Sequence, residues 1–214
     1  PFKLKSFQKI SSTQGNFTSL LDSNDFFGYS STFLGDLNLD GIGDTVVGAH
    51  LDDDGGTDRG SVYVLFLNSN GTVKYHQKIS NITGNFRGNL DNGDVFGSSV
   101  ACIGDLNLDG IPDIVVGAYA DDDGGSSRGA IYVIFLNRNG TVKSFQKISN
   151  TTGNFNGNLD NDDYFGNSVS LIGDLDLDGI QDISVGSYGD DDGGSGRGAI
   201  YILFLNLNGT VKNH

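Results

Sequence analysis

A segment that begins at Val73-Lys74 and ends at Thr141 recurs 69 residues later, identical at 51 of 69 positions and without a gap. Residues 4–72 follow the same frame with more substitutions, so three units account for all but seven of the 214 residues. Repetition at this period means that one supersecondary unit is reused, and it excludes folds that have no tandem symmetry. The frame divides the chain into a leading strand at residues 1–11, then units at 12–80, 81–149 and 150–214. The last of these holds only the start of its final strand. Leu4 to Ser11 reads as a complete fourth strand standing ahead of the first unit, and residues 211–214 read as the opening of another.

Turn signals cut each unit into four short apolar segments. In the second unit these are Phe96 to Ile103, Ile114 to Ala118, Ala130 to Leu136 and Val142 to Ile148, each rich in Val, Ile, Tyr and Phe. Asn139-Gly140 lies between the third and fourth segments, and Asn70-Gly71 and Asn208-Gly209 repeat it. This is the pair that a type I′ hairpin turn requires, so those segments are expected to be antiparallel neighbours. No stretch sustains a 3.6-residue period, and Glu and Met are missing altogether. The chain therefore reads as all-β, built from tandem four-stranded antiparallel blades of β-propeller type. The third segment is apolar on both faces, as expected of a strand inside a stacked sheet.

All 27 acidic residues are Asp, against 13 Lys and Arg, for a formal charge of −14. Phosphate binding needs clustered cations that are lacking here, so nucleic acid is excluded as a partner. No apolar run approaches 18 residues, and no membrane insertion is expected. The absence of Met points to a processed or excised portion of a longer product. Cys102 stands where the other units have Phe33 and Leu171, which predicts a buried, inert thiol. His50 matches Tyr119 and Tyr188, and His76 matches Phe7 and Phe145, so both read as packing variants of aromatic positions. With His214 terminal, no histidine recurs in every unit, and neither a Ser-His-Asp triad nor a His-based metal site is supported. Active sites break symmetry, yet here every polar cluster is triplicated. A binding or structural role is expected rather than catalysis.

One acidic loop per unit carries metal-ligand spacing. Its oxygen side chains are Asp36, Asn38, Asp40 and Asp44 in the first unit, Asp105, Asn107, Asp109 and Asp113 in the second, and Asp174, Asp176, Asp178 and Asp182 in the third. They occupy loop positions 1, 3, 5 and 9, with Gly at 6. Position 7 is Ile42, Ile111 or Ile180, which can offer only a backbone carbonyl. So many carboxylates at contact distance repel without a divalent cation, and three calcium sites are expected. An EF-hand would need a bidentate Glu at position 12, where Val47, Val116 and Val185 stand instead.

The Phe-Gly pairs at 27–28, 96–97 and 165–166, the Asp-x-Asn-x-Asp-Gly-x-x-Asp loop and the following Val-Gly-Ala-Tyr-like segments at 47–50, 116–119 and 185–188 together resemble FG-GAP repeats, the blades of the integrin α-subunit propeller. The Pro of that family's GAP element is His50, Tyr119 or Tyr188 here. The resemblance covers essentially the whole chain. It implies calcium held in an inter-strand hairpin loop, an extracellular or cell-surface location, and adhesive or structural work.

A second acidic cluster, Asp52 to Asp54, recurs at 121–123 and 190–192, each followed by an Arg (Arg59, Arg128, Arg197). It admits a second cation site or a partner-facing surface; the plainer reading is a solvated hairpin loop with an Arg-Asp pair. Asn-x-Thr sequons at Asn16, Asn70, Asn81, Asn139, Asn150 and Asn208 would suit a glycosylated secreted protein. For Asn70, Asn139 and Asn208 the turn alone explains the Asn-Gly pair. The two ends suggest self-association: the leading strand of one chain completes the last sheet of another, as a closed oligomer or a fibre. The alternative is a stretch of a larger integrin-like propeller that binds a protein or glycan ligand.

Overall fold

The computed structural model describes residues 6–212; positions 1–5 of the expected leading strand, together with Asn213 and His214, lie outside the described residues. The chain is all-β, with no helix among the described residues. The first sheet runs β1 (Ser31–Gly35), β2 (Asp44–Ala49), β3 (Ser61–Leu67), β4 (Val73–Ser80), and the second β5 (Ser99–Gly104), β6 (Asp113–Ala118), β7 (Ala130–Leu136), β8 (Val142–Ser149). The third holds β9 (Phe165–Gly173), β10 (Asp182–Ser187) and β11 (Ala199–Leu203). Strands pair antiparallel in sequence order within each sheet. In the third, the described residues of the fourth strand make a Leu205–Val211 bridge and a hydrogen bond from Lys212 N–H to the Phe204 carbonyl.

The third and fourth strands are joined by a different turn from the one expected. Gly140 N–H bonds the Asn137 carbonyl at 2.8 Å and Gly140 has φ +80°, while Asn139 is not at positive φ. That is a type I turn followed by a left-handed Gly, and the register shift at Phe135/Leu136 is the bulge that accompanies it. Asn139 Oδ1 holds the turn by accepting from Thr141 N–H and Oγ1.

Alternation along the third strands explains how the sheets stack. Ile131, Val133 and Phe135 of β7 join the core shared with the third sheet, whereas Tyr132 and Ile134 join the core shared with the first. The Phe-Gly pairs join successive units through the backbone. Phe96 N–H bonds the Arg59 carbonyl and Phe165 N–H the Arg128 carbonyl, just ahead of the preceding sheet's third strand. The Ser30 and Ser99 hydroxyls then donate to the carbonyls of Gly97 and Gly166 in the following unit.

Three expectations about apolar and aromatic positions meet different outcomes. Cys102 is half-buried rather than buried, packed against the core that the first and second sheets share. His50 packs on Tyr29 at 3.9 Å, and His76 on Phe17 at 5.0 Å, as aromatic variants should. Residues 6–10 of the leading segment join no strand among the described residues, and Ser11 bridges Gln14 as Ser80 bridges Thr83.

Candidate cation-binding loops

The three acidic loops all link the first strand of a sheet to its second, and each curls in the same way. Leu39, Leu108 and Leu177 adopt left-handed φ of +61°, +61° and +62°, a conformation that costs a non-Gly residue on the order of 1 kcal/mol or more. The curl turns the side chains of positions 1, 3 and 5 onto the loop's own backbone. Asp36 accepts from Asp40 N–H at 3.0 Å and Gly41 N–H at 2.8 Å, and Asp105 and Asp174 do the same in their loops. Asn38 and Asn107 accept from Asp40 and Asp109 N–H. Asp40, Asp109 and Asp178 accept from the N–H of Ile42, Ile111 and Ile180, whose side chains are half-buried.

Position 9 is different in kind. Asp44, Asp113 and Asp182 are fully buried, and each ties the loop to the end of the third strand. Asp113 accepts from Leu106 N–H at 3.1 Å and Leu136 N–H at 3.2 Å; Asp44 pairs likewise with Leu37 and Leu67, and Asp182 with Leu175 and Leu205. Burial pushes Asp113 up to about 7 despite those two donors, and raises Asp44 as well. A carboxylate ligand must be deprotonated, so a divalent cation bound there would displace that proton and bind more tightly as pH rises. In the third loop, carboxylate oxygens of Asp174, Asp176 and Asp182 lie within 4.8 Å of one another. An all-oxygen donor set on a curled loop fits a hard cation such as calcium.

Sequence reasoning missed the lysine that each loop carries. Lys74 Nζ lies 2.9 Å from Asp40 and Lys143 Nζ 2.7 Å from Asp109, while Lys212 bonds Asp176 at 2.8 Å and also Asp178. The Lys74 hydrogen bond holds Asp40 below the usual carboxylate range, and Lys212 does the same for Asp178. The Val-Lys pair after each Asn-Gly-Thr was visible in every unit, but its partner stands 34 residues away.

The second acidic cluster is not a solvated loop with an Arg-Asp pair. Its first Asp is buried in every unit, and Arg59 and Arg128 donate to Asn92 and Asn161 instead. The cation is a lysine from the fourth strand. Lys78 Nζ stands 2.8 Å from Asp52 and 2.7 Å from Asp54; Lys147 repeats this with Asp121 and Asp123 at the same distances. The hydroxyls of Tyr63 and Tyr132 donate to Asp52 and Asp121.

Beside this network lies Asp94, buried and accepting from Asp91 N–H at 2.7 Å. Burial, with the Asp121 charge adding to it, pushes Asp94 up to about 7. A carboxyl raised on folding contributes stability that is complete below its unfolded value of ~3.9 and lost as pH climbs through the folded one. Each pH unit in that window removes up to about 1.4 kcal/mol. Asp94→Asn keeps an acceptor for the Asp91 N–H. It is expected to shrink the fall in melting temperature between pH 4 and 7; an unchanged slope would remove Asp94 from the account.

Among the sequons, Asn16, Asn70, Asn139 and Asn208 are exposed. Asn81 and Asn150 are half-buried, and their amide oxygens accept from Leu90 and Leu159 N–H at 3.1 and 3.2 Å.

The FG-GAP repeat family matches residues 96–134 and 165–203. Curated relatives include integrin alpha-2 of Mus musculus, 35% identical over 136 residues, and integrin alpha-11 of Homo sapiens, 35% identical over 170. Integrin alpha-PS5 of Drosophila melanogaster is 32% identical over 170 residues. These matches take in 62%, 77% and 77% of this chain, respectively, but only 10%, 13% and 15% of the relatives' own lengths.

Proposed function

Because this chain is an FG-GAP repeat protein, we propose that it is a non-enzymatic, extracellular, calcium-binding module of propeller-type blades with a structural or adhesive role, associating head to tail with further copies. The observation that carries the calcium reading is the threefold recurrence, between first and second strands, of a curled loop whose oxygens face its own interior. Asp36, Asn38, Asp40, the Ile42 carbonyl and Asp44 would hold one ion. Asp105, Asn107, Asp109, the Ile111 carbonyl and Asp113 would hold a second, and Asp174, Asp176, Asp178, the Ile180 carbonyl and Asp182 a third. Calcium, when bound, supplies the charge that offsets three or four carboxylates in each loop. The chain's own residues do the rest. Position 9 locks the loop to the third strand, and Lys74, Lys143 and Lys212 offset part of the charge.

Calcium at a hundredfold excess over its Kd stabilises the native state by about 2.7 kcal/mol per site. For a chain of this size the melting temperature is expected to rise on the order of 5 °C or more. If chelation leaves it unchanged, the metal reading is wrong. Head-to-tail association predicts dimers or larger species in calcium by sedimentation, and compact monomers alone would sink it.

A second reading, a portion of a larger integrin-like propeller that binds a protein or glycan, draws on the integrin alpha relatives and on a row of rings at the GAP positions. Tyr188 stacks on Tyr164 at 4.8 Å, Tyr119 meets both, and His50 packs at a tilt on Tyr29. Ring-shaped particles in electron micrographs would favour this reading, and filaments the first.

A further inference from the structure

We infer that Asn156 is a site of spontaneous deamidation, being the one Asn-Gly pair among five that the fold leaves open to this reaction.

The five pairs stand at 70–71, 92–93, 139–140, 156–157 and 208–209. Glycine after asparagine favours the rearrangement, because no Cβ crowds the following amide nitrogen. That nitrogen loses its proton to hydroxide and attacks the asparagine Cγ. A bond forms from the nitrogen to Cγ, the bond from Cγ to Nδ2 breaks, and Nδ2 leaves as ammonia with a proton taken from water. One water then opens the five-membered imide at either carbonyl. The product is aspartate or its isomer, whose backbone runs through the side-chain carbons. Water is the one co-reactant, and the step needs neither calcium nor a partner chain.

Four of the pairs are held at both reacting groups. In the hairpin turns, Gly71, Gly140 and Gly209 N–H donate to the carbonyls of Asn68, Asn137 and Asn206 at 2.8 Å. The Oδ1 atoms of Asn70, Asn139 and Asn208 accept from the N–H and Oγ1 of Thr72, Thr141 and Thr210. Gly93 N–H donates to the Thr57 carbonyl at 3.0 Å, and Asn92 Oδ1 accepts from Arg59 Nε at 2.9 Å. The attack needs a free nitrogen and a side chain that can swing onto it. Each of these four must therefore give up hydrogen bonds first.

At 156–157 neither group is held. Among the described residues no hydrogen bond reaches the Asn156 side chain or Gly157 N–H, and Asn156 is exposed. That exposure belongs to this point of the repeat. Thr18 and Arg87 occupy it in the other units and are exposed as well, Arg87 in a unit with a sheet on either side. The third unit alone places Asn-Gly there.

The consequence follows from what anchors the segment. On one side Phe155 is buried, its ring 5.1 Å from Phe165 and 5.5 Å from Tyr201. On the other, the Asn158 carbonyl accepts from the Tyr201 hydroxyl at 3.2 Å, and buried Leu159 donates its N–H to Asn150. The isomer inserts one backbone carbon between these anchors, and either product adds a negative charge to a chain already at −14. One anchor must shift, so the aromatic contacts that hold the third sheet loosen.

The test is prolonged warm incubation of the full chain at pH 8, with peptide mass spectrometry of every Asn-Gly pair and the melting temperature followed in parallel. Asn156 is expected to gain about 1 Da at about ten times the rate of any other pair, or faster. In urea, where no fold protects them, all five are expected to react alike. As Asn156 converts, the melting temperature is expected to fall by about 2–4 °C, and Asn156→Ser, at an exposed position, is expected to remove that fall. Reaction at another pair as fast as at Asn156 overturns the inference. So does a folded chain inert at Asn156 while the chain in urea reacts. An equal fall in the Asn156→Ser chain overturns the consequence drawn for the third sheet.

Discussion

Lys147→Met is expected to destabilise the chain by about 3–5 kcal/mol at pH 8, the cost of leaving a buried carboxylate without its counter-charge. Met replaces most of the lysine stem, so packing over the Tyr132 ring is largely kept and the charge is what changes. Asp121 would retain only the Tyr132 hydroxyl and the Asp123 N–H. Burial already raises the Asp121 carboxyl, and Lys147 is what opposes it. Without the ammonium the carboxyl rises further. A raised folded pKa means that stability is present at low pH and lost as pH increases, so the defect is expected to be largest near pH 8 and small near pH 4. Urea titrations at the two pH values measure this directly, and equal losses would show that packing, not charge, was removed. Adding Asp121→Asn should recover much of the loss, because the double change leaves neither group alone. The third unit supplies an internal control. Asp190→Asn removes a carboxylate that pairs with no lysine among the described residues, and it should be neutral or stabilising.

Gly117→Ala is expected to cost about 3–4 kcal/mol and to loosen the third sheet from the second. A Cβ there would fall 2.1 Å from the Gly166 carbonyl oxygen and 2.2 Å from Ser99 Oγ, the very pair whose hydrogen bond joins the sheets. The first is backbone and cannot swing aside, so overpacking and a lost hydrogen bond add together. Gly117 is not at positive φ, so backbone strain contributes nothing. Gly186 occupies the same repeat position, but its nearest neighbour would be Ser168 Oγ at 2.4 Å, on a side chain free to rotate. Gly186→Ala should therefore cost about 1 kcal/mol or less. Equal effects at the two sites would refute a contact between sheets as the cause. Hydrogen exchange should show β9 to β11 losing protection first in the Gly117 variant.

The strands, their order and the acidic loops were legible because their signals are local. Turn residues recur at fixed offsets, apolar runs have strand length, and Asp at alternate positions before a Gly dictates a curl within nine residues. What escaped was the partner of each charge. Lys78 and Lys147 reach their Asp across 26 residues, and Lys74 and Lys143 theirs across 34, so strand register decides who meets whom. The expected Arg-Asp pair failed for that reason: the arginine was near in sequence, while the lysine was near in space. Asn81 and Asn150 escaped likewise, because the Leu90 and Leu159 N–H groups that they accept from belong to the end of a loop.

The sequence by itself determined the repeat, the all-β class and the places where side-chain oxygens gather, since each depends on chemistry within a few residues. Burial was decided only in three dimensions. Ala130-Ile131-Tyr132 and Ala199-Ile200-Tyr201 are the same three residues at the same point of the repeat, yet Ile131 is sealed while Ile200 stands open. Nothing local separates them. A neighbouring sheet covers one and, among the described residues, none covers the other, because apolar burial depends on what packs against a face and not on the residues that form it.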